Sequence, residues 1–201
     1  MRILSVPLIA LCMFACTPAA EKAPARVTKS TPLYAGEWWQ GQDSIEQYGF
    51  VSGAGDCYFG DFGGGDSTAR GPVGASIGRI SAYYRTGGNT LAAPVLRVLY
   101  PTEFDSGKSR AAPQLHSGVH ETYDALYWNH MYSNPNEQRG FMEGYLACVQ
   151  EFLPADASHL QLGPQQYVTL LNDWYDGESH QEMTIATSLR RMGKVSDESA
   201  R

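Results

Sequence analysis

The sequence predicts an all-α protein: two pseudo-symmetric three-helix repeats packed as one helical domain, preceded by a disordered tether. Three observations carry that expectation. Twelve residues occur twice, as Glu46-Gln-Tyr-Gly-Phe-Val-Ser-Gly-Ala-Gly-Asp-Cys57 and Glu137-Gln-Arg-Gly-Phe-Met-Glu-Gly-Tyr-Leu-Ala-Cys148, with Glu, Gln, Gly, Phe, Gly and Cys shared at an offset of 91. Apolar residues at helical spacing follow each copy, and residue types that start and stop helices fall at matching places in both.

The N-terminus stands apart from the repeats. Residues 1–15 read as a secretory signal: Arg2 gives one positive charge, Ile3–Ala15 is apolar but too short to span a bilayer, and a small residue precedes Cys16. Met13-Phe14-Ala15-Cys16 resembles a lipobox, in which the cysteine becomes the lipidated first residue. The alternative is cleavage that leaves a soluble secreted protein. Thr17 after the cysteine, by resemblance to sorted lipoproteins, points to the periplasmic face of the outer membrane. Residues 16–33, rich in Pro, Ala and Lys, carry no apolar periodicity and read as a flexible tether.

Residues 34–200 are expected to form the helical domain, with repeat one at 34–101, repeat two at 123–193 and a connection between them. Each repeat opens on an aromatic pair, Trp38-Trp39 and Tyr127-Trp128. Asp43 and Asn134 stand three residues before the shared Glu and predict helix starts, the first residue capping an amide and the Glu bonding back; Pro135 suits the first helical position. Gly71-Pro72 and Gly163-Pro164 open the second helices. These carry Ile77, Ile80, Tyr83 and Tyr84 up to Gly87-Gly88, and Tyr167, Leu170, Leu171 and Trp174 up to Gly177. Third helices are expected at roughly Thr90–Leu99, stopped by Pro101, and at roughly Ser179–Met192, with Ser179 and Glu182 as a further capping box. Helices this short are marginal alone, so the repeats should bury their apolar faces against each other.

With Cys12 removed in the signal and Cys16 lipidated, Cys57 and Cys148 remain. In an oxidising compartment they are expected to pair, closing a loop of about 90 residues; the alternative is two buried thiols acting as small apolar side chains. Nothing beside either supplies the base a catalytic thiol requires. Gly49 and Gly53, like Gly140 and Gly144, lie four apart and would let another backbone approach, although such a face could also admit a ligand.

Motifs for chemistry are scarce. His116 and His120 have helical metal-ligand spacing, but Gly118 intervenes and no third ligand is fixed, so a solvated surface is the expectation and neither metal nor cofactor is assigned. No nucleophile elbow, zinc-protease motif or phosphate loop occurs, and no catalytic residue is assigned. The glycine cluster Gly60–Gly65 lacks a Gly-Lys-Ser/Thr ending and reads as a mobile loop. With 15 basic and 21 acidic residues the net charge is −6, or about −7 without Arg2, which argues against nucleic acid and suits a basic protein partner.

The second copy resembles a known family. Arg139-Gly-Phe-Met-Glu-Gly-Tyr-Leu-Ala-Cys-Val-Gln-Glu-Phe152, then Gly163-Pro-Gln-Gln-Tyr-Val-Thr-Leu-Leu-Asn-Asp-Trp-Tyr175, then Ala186-Thr-Ser-Leu-Arg-Arg-Met192 is similar to the small helical Rap/Tai immunity proteins, periplasmic antidotes to the cell-wall amidase effectors of type VI secretion. The chain departs by carrying two units and by lacking the usual cysteine before the second helix. The resemblance implies a non-enzymatic lipoprotein that binds and neutralises a secreted cell-wall-targeting effector by covering its active site with a loop or helix end. The alternative is an envelope lipoprotein acting as a structural or assembly partner. Function is expected where the copies differ. Contact candidates are Tyr58, Phe59, Asp61, Phe62 and Asp66 after the first cysteine, with Glu103 and Asp105, all taken as exposed groups of irregular segments.

Overall fold

The computed structural model describes residues 33–61, 71–105, 123–131, 133–177 and 180–199, all within one compact unit, Thr31–Arg201. The signal, Cys16, the tether, Phe62, Asp66, His116 and His120 lie outside the described residues. Of the described residues 77% are helical and none forms a strand, so the fold is all-α. In chain order the helices are α1 (Gly36–Gly41), α2 (Ser44–Gly55), a π-helical turn (Asp56–Asp61), α3 (Val73–Arg85), a 3-10 turn (Gly88–Ala92), α4 (Val95–Leu99), α5 (Pro101–Asp105), α6 (Ala125–Met131), α7 (Pro135–Phe152), α8 (Pro154–Ala157), α9 (Pro164–Tyr175) and α10 (Ile185–Ser199).

Helices α2 and α7 form the centre. A Cβ on Gly49 or Gly53 would fall onto the carbonyl oxygens of Glu137 and Phe141, and one on Gly140 or Gly144 onto those of Glu46 and Phe50. The contacts advance together along both chains, so the two helices run in the same direction. They are also reciprocal at the offset of 91. Here glycine is required by contact rather than by dihedral angle, and the helix-weakening cost of four glycines is offset by backbone-to-backbone packing. The disulfide joins Cys57, in the π turn just past α2, to Cys148 in the last part of α7, both cysteines 0% exposed.

Around this pair the same interactions recur. Trp39 Nε1 donates to Ser81 Oγ at 3.1 Å and Trp128 Nε1 to Asn172 Oδ1 at 2.8 Å. Tyr84 donates its hydroxyl to the Ala93 carbonyl, Tyr175 to that of Met183. Val95 N–H bonds to the Tyr34 carbonyl and Ile185 N–H to that of Tyr123, beside the isolated bridges Ala35–Pro94 and Asp124–Thr184.

Several expectations require correction. The aromatic pairs do not merely precede the first expected helices: they sit on helices of their own, α1 and α6. The helix expected at Thr90–Leu99 is split, because Pro94 has no N–H to continue it and holds Ala93 extended at φ −75°, ψ 136°. That expected at Ser179–Met192 starts only at Ile185, with Thr184 Oγ1 accepting from Thr187 N–H at 3.2 Å. Asp43 caps as expected, accepting from Ile45 and Glu46, whereas Asn134 makes no side-chain cap. Glu46 does not bond back to its cap. It reaches across to Arg139 at 2.7 Å. The back-bond of such a box forms instead at α9, where Gln166 Oε1 accepts from Gly163 N–H at 2.8 Å. Gly87 and Gly88 end the α3 segment at φ 67° and 63°, where a side chain would be strained.

Candidate functional site

Where the second copy continues as regular α-helix through Phe152, the first widens into the π turn Asp56–Asp61. Such turns hold an extra residue and re-aim side chains, and they concentrate at functional sites. This one turns neighbouring side chains towards two separate cavities.

Tyr58 and Phe59 face the first, of about 370 Å³, closed by Val51, Arg79, Leu99 and Tyr100. Tyr58 stacks on Tyr100 with ring centroids 3.8 Å apart and donates to Glu103 Oε1 at 2.7 Å. Burial first, and the Glu103 carboxylate second, raise its phenol above the usual range. Phe59 packs edge-on against Tyr58. Arg79 Nη2 donates to the Leu99 carbonyl at 3.3 Å, which holds the wall together.

Asp61 faces the second, of about 260 Å³, with apolar walls from Val149, Leu153 and Leu160 and polar groups from Tyr145, Asp156, His159 and Arg190. One Asp61 oxygen pairs with Arg190; the other accepts from Tyr145 at 2.5 Å. Burial raises the Asp61 carboxyl, outweighing the opposing pull of Arg190 and Tyr145, and the Asp156 charge raises it further. Tyr145, fully enclosed and beside that carboxylate, is held well above its ordinary value by the loss of hydration.

Of the expected contact residues, Tyr58 and Asp61 are therefore buried at 5% and 7% exposure, not displayed on a loop. The disulfide anchors the chain at Cys57, and helical structure continues to Asp61, carrying both side chains inward. Phe59 is half-buried, Glu103 half-buried as the acceptor of Tyr58, and Asp105 ends α5. Tyr58, Phe59 and Glu103 come together; Asp61 faces away into the other cavity. Sequence reasoning missed Tyr100, Arg79, Tyr145, Asp156 and Arg190. A usable signal existed for Tyr145, which stands where the first copy has Ala54. Arg190 falls within the segment Ala186–Met192 quoted for the resemblance, but nothing in the sequence sets it apart from Arg191.

Among the described residues no group of three or more His, Cys, Asp or Glu side chains could hold a metal ion, and no helix is long and apolar enough to cross a membrane. Compared with protein-family models, with curated proteins and with solved structures, the chain matches none.

Proposed function

We propose that this is an exported binding protein of the immunity type: a lipoprotein held at the outer membrane through Cys16 that binds and neutralises a secreted cell-wall-targeting effector without catalysing a reaction. One observation carries the reading, the buried disulfide Cys57–Cys148. A structural disulfide at the centre of a fold fits an oxidising compartment, as does the expected export signal, and it ties the π turn that contains Cys57 to α7. A partner meeting that turn finds preformed cavities, which lowers the ordering cost of binding.

The architecture proposed with this function is a tandem duplication, two pseudo-symmetric units related by an axis near the disulfide. Its support is the reciprocity of the glycine contacts and the recurrence of the Trp39/Trp128 and Tyr84/Tyr175 hydrogen bonds. In this reading the units keep the scaffold in common and differ around the π turn, where a single face is specialised for the partner.

Co-expression in the periplasm with secreted cell-wall-targeting toxins, any encoded by a neighbouring gene first, tests the role. Rescue of growth and recovery of a stoichiometric complex are expected, weakened by Phe59→Asp. Absence of both rescue and complex overturns the immunity reading, and co-purification of resident envelope proteins instead favours an assembly partner.

A further inference from the structure

The cavity lined by Asp61 combines a greasy wall with an unbalanced set of charges. Val149, Leu153 and Leu160 supply the wall. Arg190 is committed to Asp61, whose second oxygen is occupied by the Tyr145 hydroxyl. Asp156 is different. It lines the same space, is half-buried, and among the described residues has neither a cation nor a hydrogen-bond donor for its carboxylate; its charge acts on Asp61 as repulsion. Among these three groups two carboxylates face one guanidinium, a formal excess of one negative charge. An apolar solute would leave that charge unanswered, and an anion would add to it.

We infer that this cavity receives a primary ammonium group on an unbranched aliphatic stem, the side chain of a lysine presented by a protein partner. The stem lies along Val149, Leu153 and Leu160, and the ammonium ends against Asp156. The Tyr145 hydroxyl, which donates its hydrogen bond to Asp61, keeps oxygen lone pairs that can accept from the same group. Lysine fits better than arginine because a compact ammonium on a flexible stem can enter beside a guanidinium already in place, whereas a second planar fork would compete with Arg190 for Asp61. The inference rests on the reading of the protein as a binder of protein partners, and it names what such a partner would insert.

The test uses the isolated, oxidised protein and no effector, so its failure is separate from failure of the immunity role. Nα-acetyl-lysine-N-methylamide is titrated while methyl shifts of Val149, Leu153 and Leu160 are followed by NMR, with butyrate, n-butanol and cadaverine in parallel. Saturable shifts with the capped lysine are expected, with butyrate and butanol inert. Asp156→Asn, a change on the short outer helix α8, should weaken binding at least tenfold; Leu126→Ala, at a residue 75% exposed and outside the cavity lining, should leave it unchanged. Butyrate binding as well as the capped lysine, or an Asp156→Asn protein that binds equally, overturns the charge assignment. Cadaverine binding without capped lysine overturns the protein source in favour of a free diamine. No saturable shift with any probe overturns the site.

Discussion

Glu143 is the residue whose chemistry most clearly depends on its neighbours. It stands where the first copy has Ser52, and its carboxyl is raised from an ordinary 4.5 to about 7, first by burial, then by the Glu46 carboxylate, with Arg139 opposing. Its Oε2 is buried without a hydrogen-bond partner among the described residues, which again favours the neutral acid. Arg139 is committed to Glu46, so it screens Glu143 only in part, and across the helix pair Tyr34 faces the same charge. The folded protein thus holds a proton that the unfolded chain releases above about pH 4.5. The stabilisation is complete below that pH and is lost as pH rises through about 7. Because Glu143 is partly exposed, solvent screening reduces the effect to ~1 kcal/mol. Urea denaturation at pH 5 and pH 8 should show Glu143→Gln losing less stability over that interval than the parent, and equal losses would disprove the assignment. Asp61 and Glu137, also raised by burial, act in the same direction in both proteins, which is why the difference between them is the informative quantity.

At the scale of elements, the α2–α7 contact depends on having no side chain at four points. Gly53→Ala gains up to about 1 kcal/mol of helix propensity but sets a methyl group on the Phe141 carbonyl, and separating two packed backbones should leave a net cost of about 1–3 kcal/mol. Gly74→Ala on α3 meets nothing within 4 Å and should instead stabilise by about 0.5–1 kcal/mol. Thermal unfolding of the two variants should therefore shift in opposite directions. The close approach was legible in the sequence because Gly-Phe-x-x-Gly appears twice, and the starts of α2 and α9 were legible because capping is a local event. The starts of α4 and α10 were not. Each follows an extended residue, Pro94 or Thr184, held by Ala35 or Asp124 from a distant part of the chain, and no local propensity encodes that pairing. Helices α1 and α6 were missed for a similar reason: at 6 and 7 residues they are too short to show a period and are held by burial of Trp39 and Trp128. Tyr58 and Asp61 stood out in the sequence but were misread in their exposure, since a Gly-rich stretch begins at Gly60 while the helical structure before it continues through Asp61.

For the molecule as a whole, the decisive question is whether its two halves are separable. The α2–α7 contact carries Phe50 and Phe141 at 0% exposure, so each half completes the core of the other. The Asp56 carboxylate accepts from Tyr123 N–H at 3.1 Å, a further tie between them. Separating the halves would expose both phenylalanines to water, so unfolding should be a single transition. The disulfide then acts chiefly on the unfolded chain, where closing a loop of 91 residues corresponds to about 4–5 kcal/mol in the chain-entropy picture. Cys57→Ala/Cys148→Ala should therefore lose about 2–5 kcal/mol while keeping one cooperative transition, because the helix interface survives without the bond. Reduction of the parent protein should lower its midpoint by a similar amount and leave the double variant unaffected. Two resolved transitions in the double variant would mean that the disulfide, rather than the glycine-to-backbone interface, unites the halves. Equal midpoints for the oxidised parent and the variant would mean that the bond contributes nothing to stability.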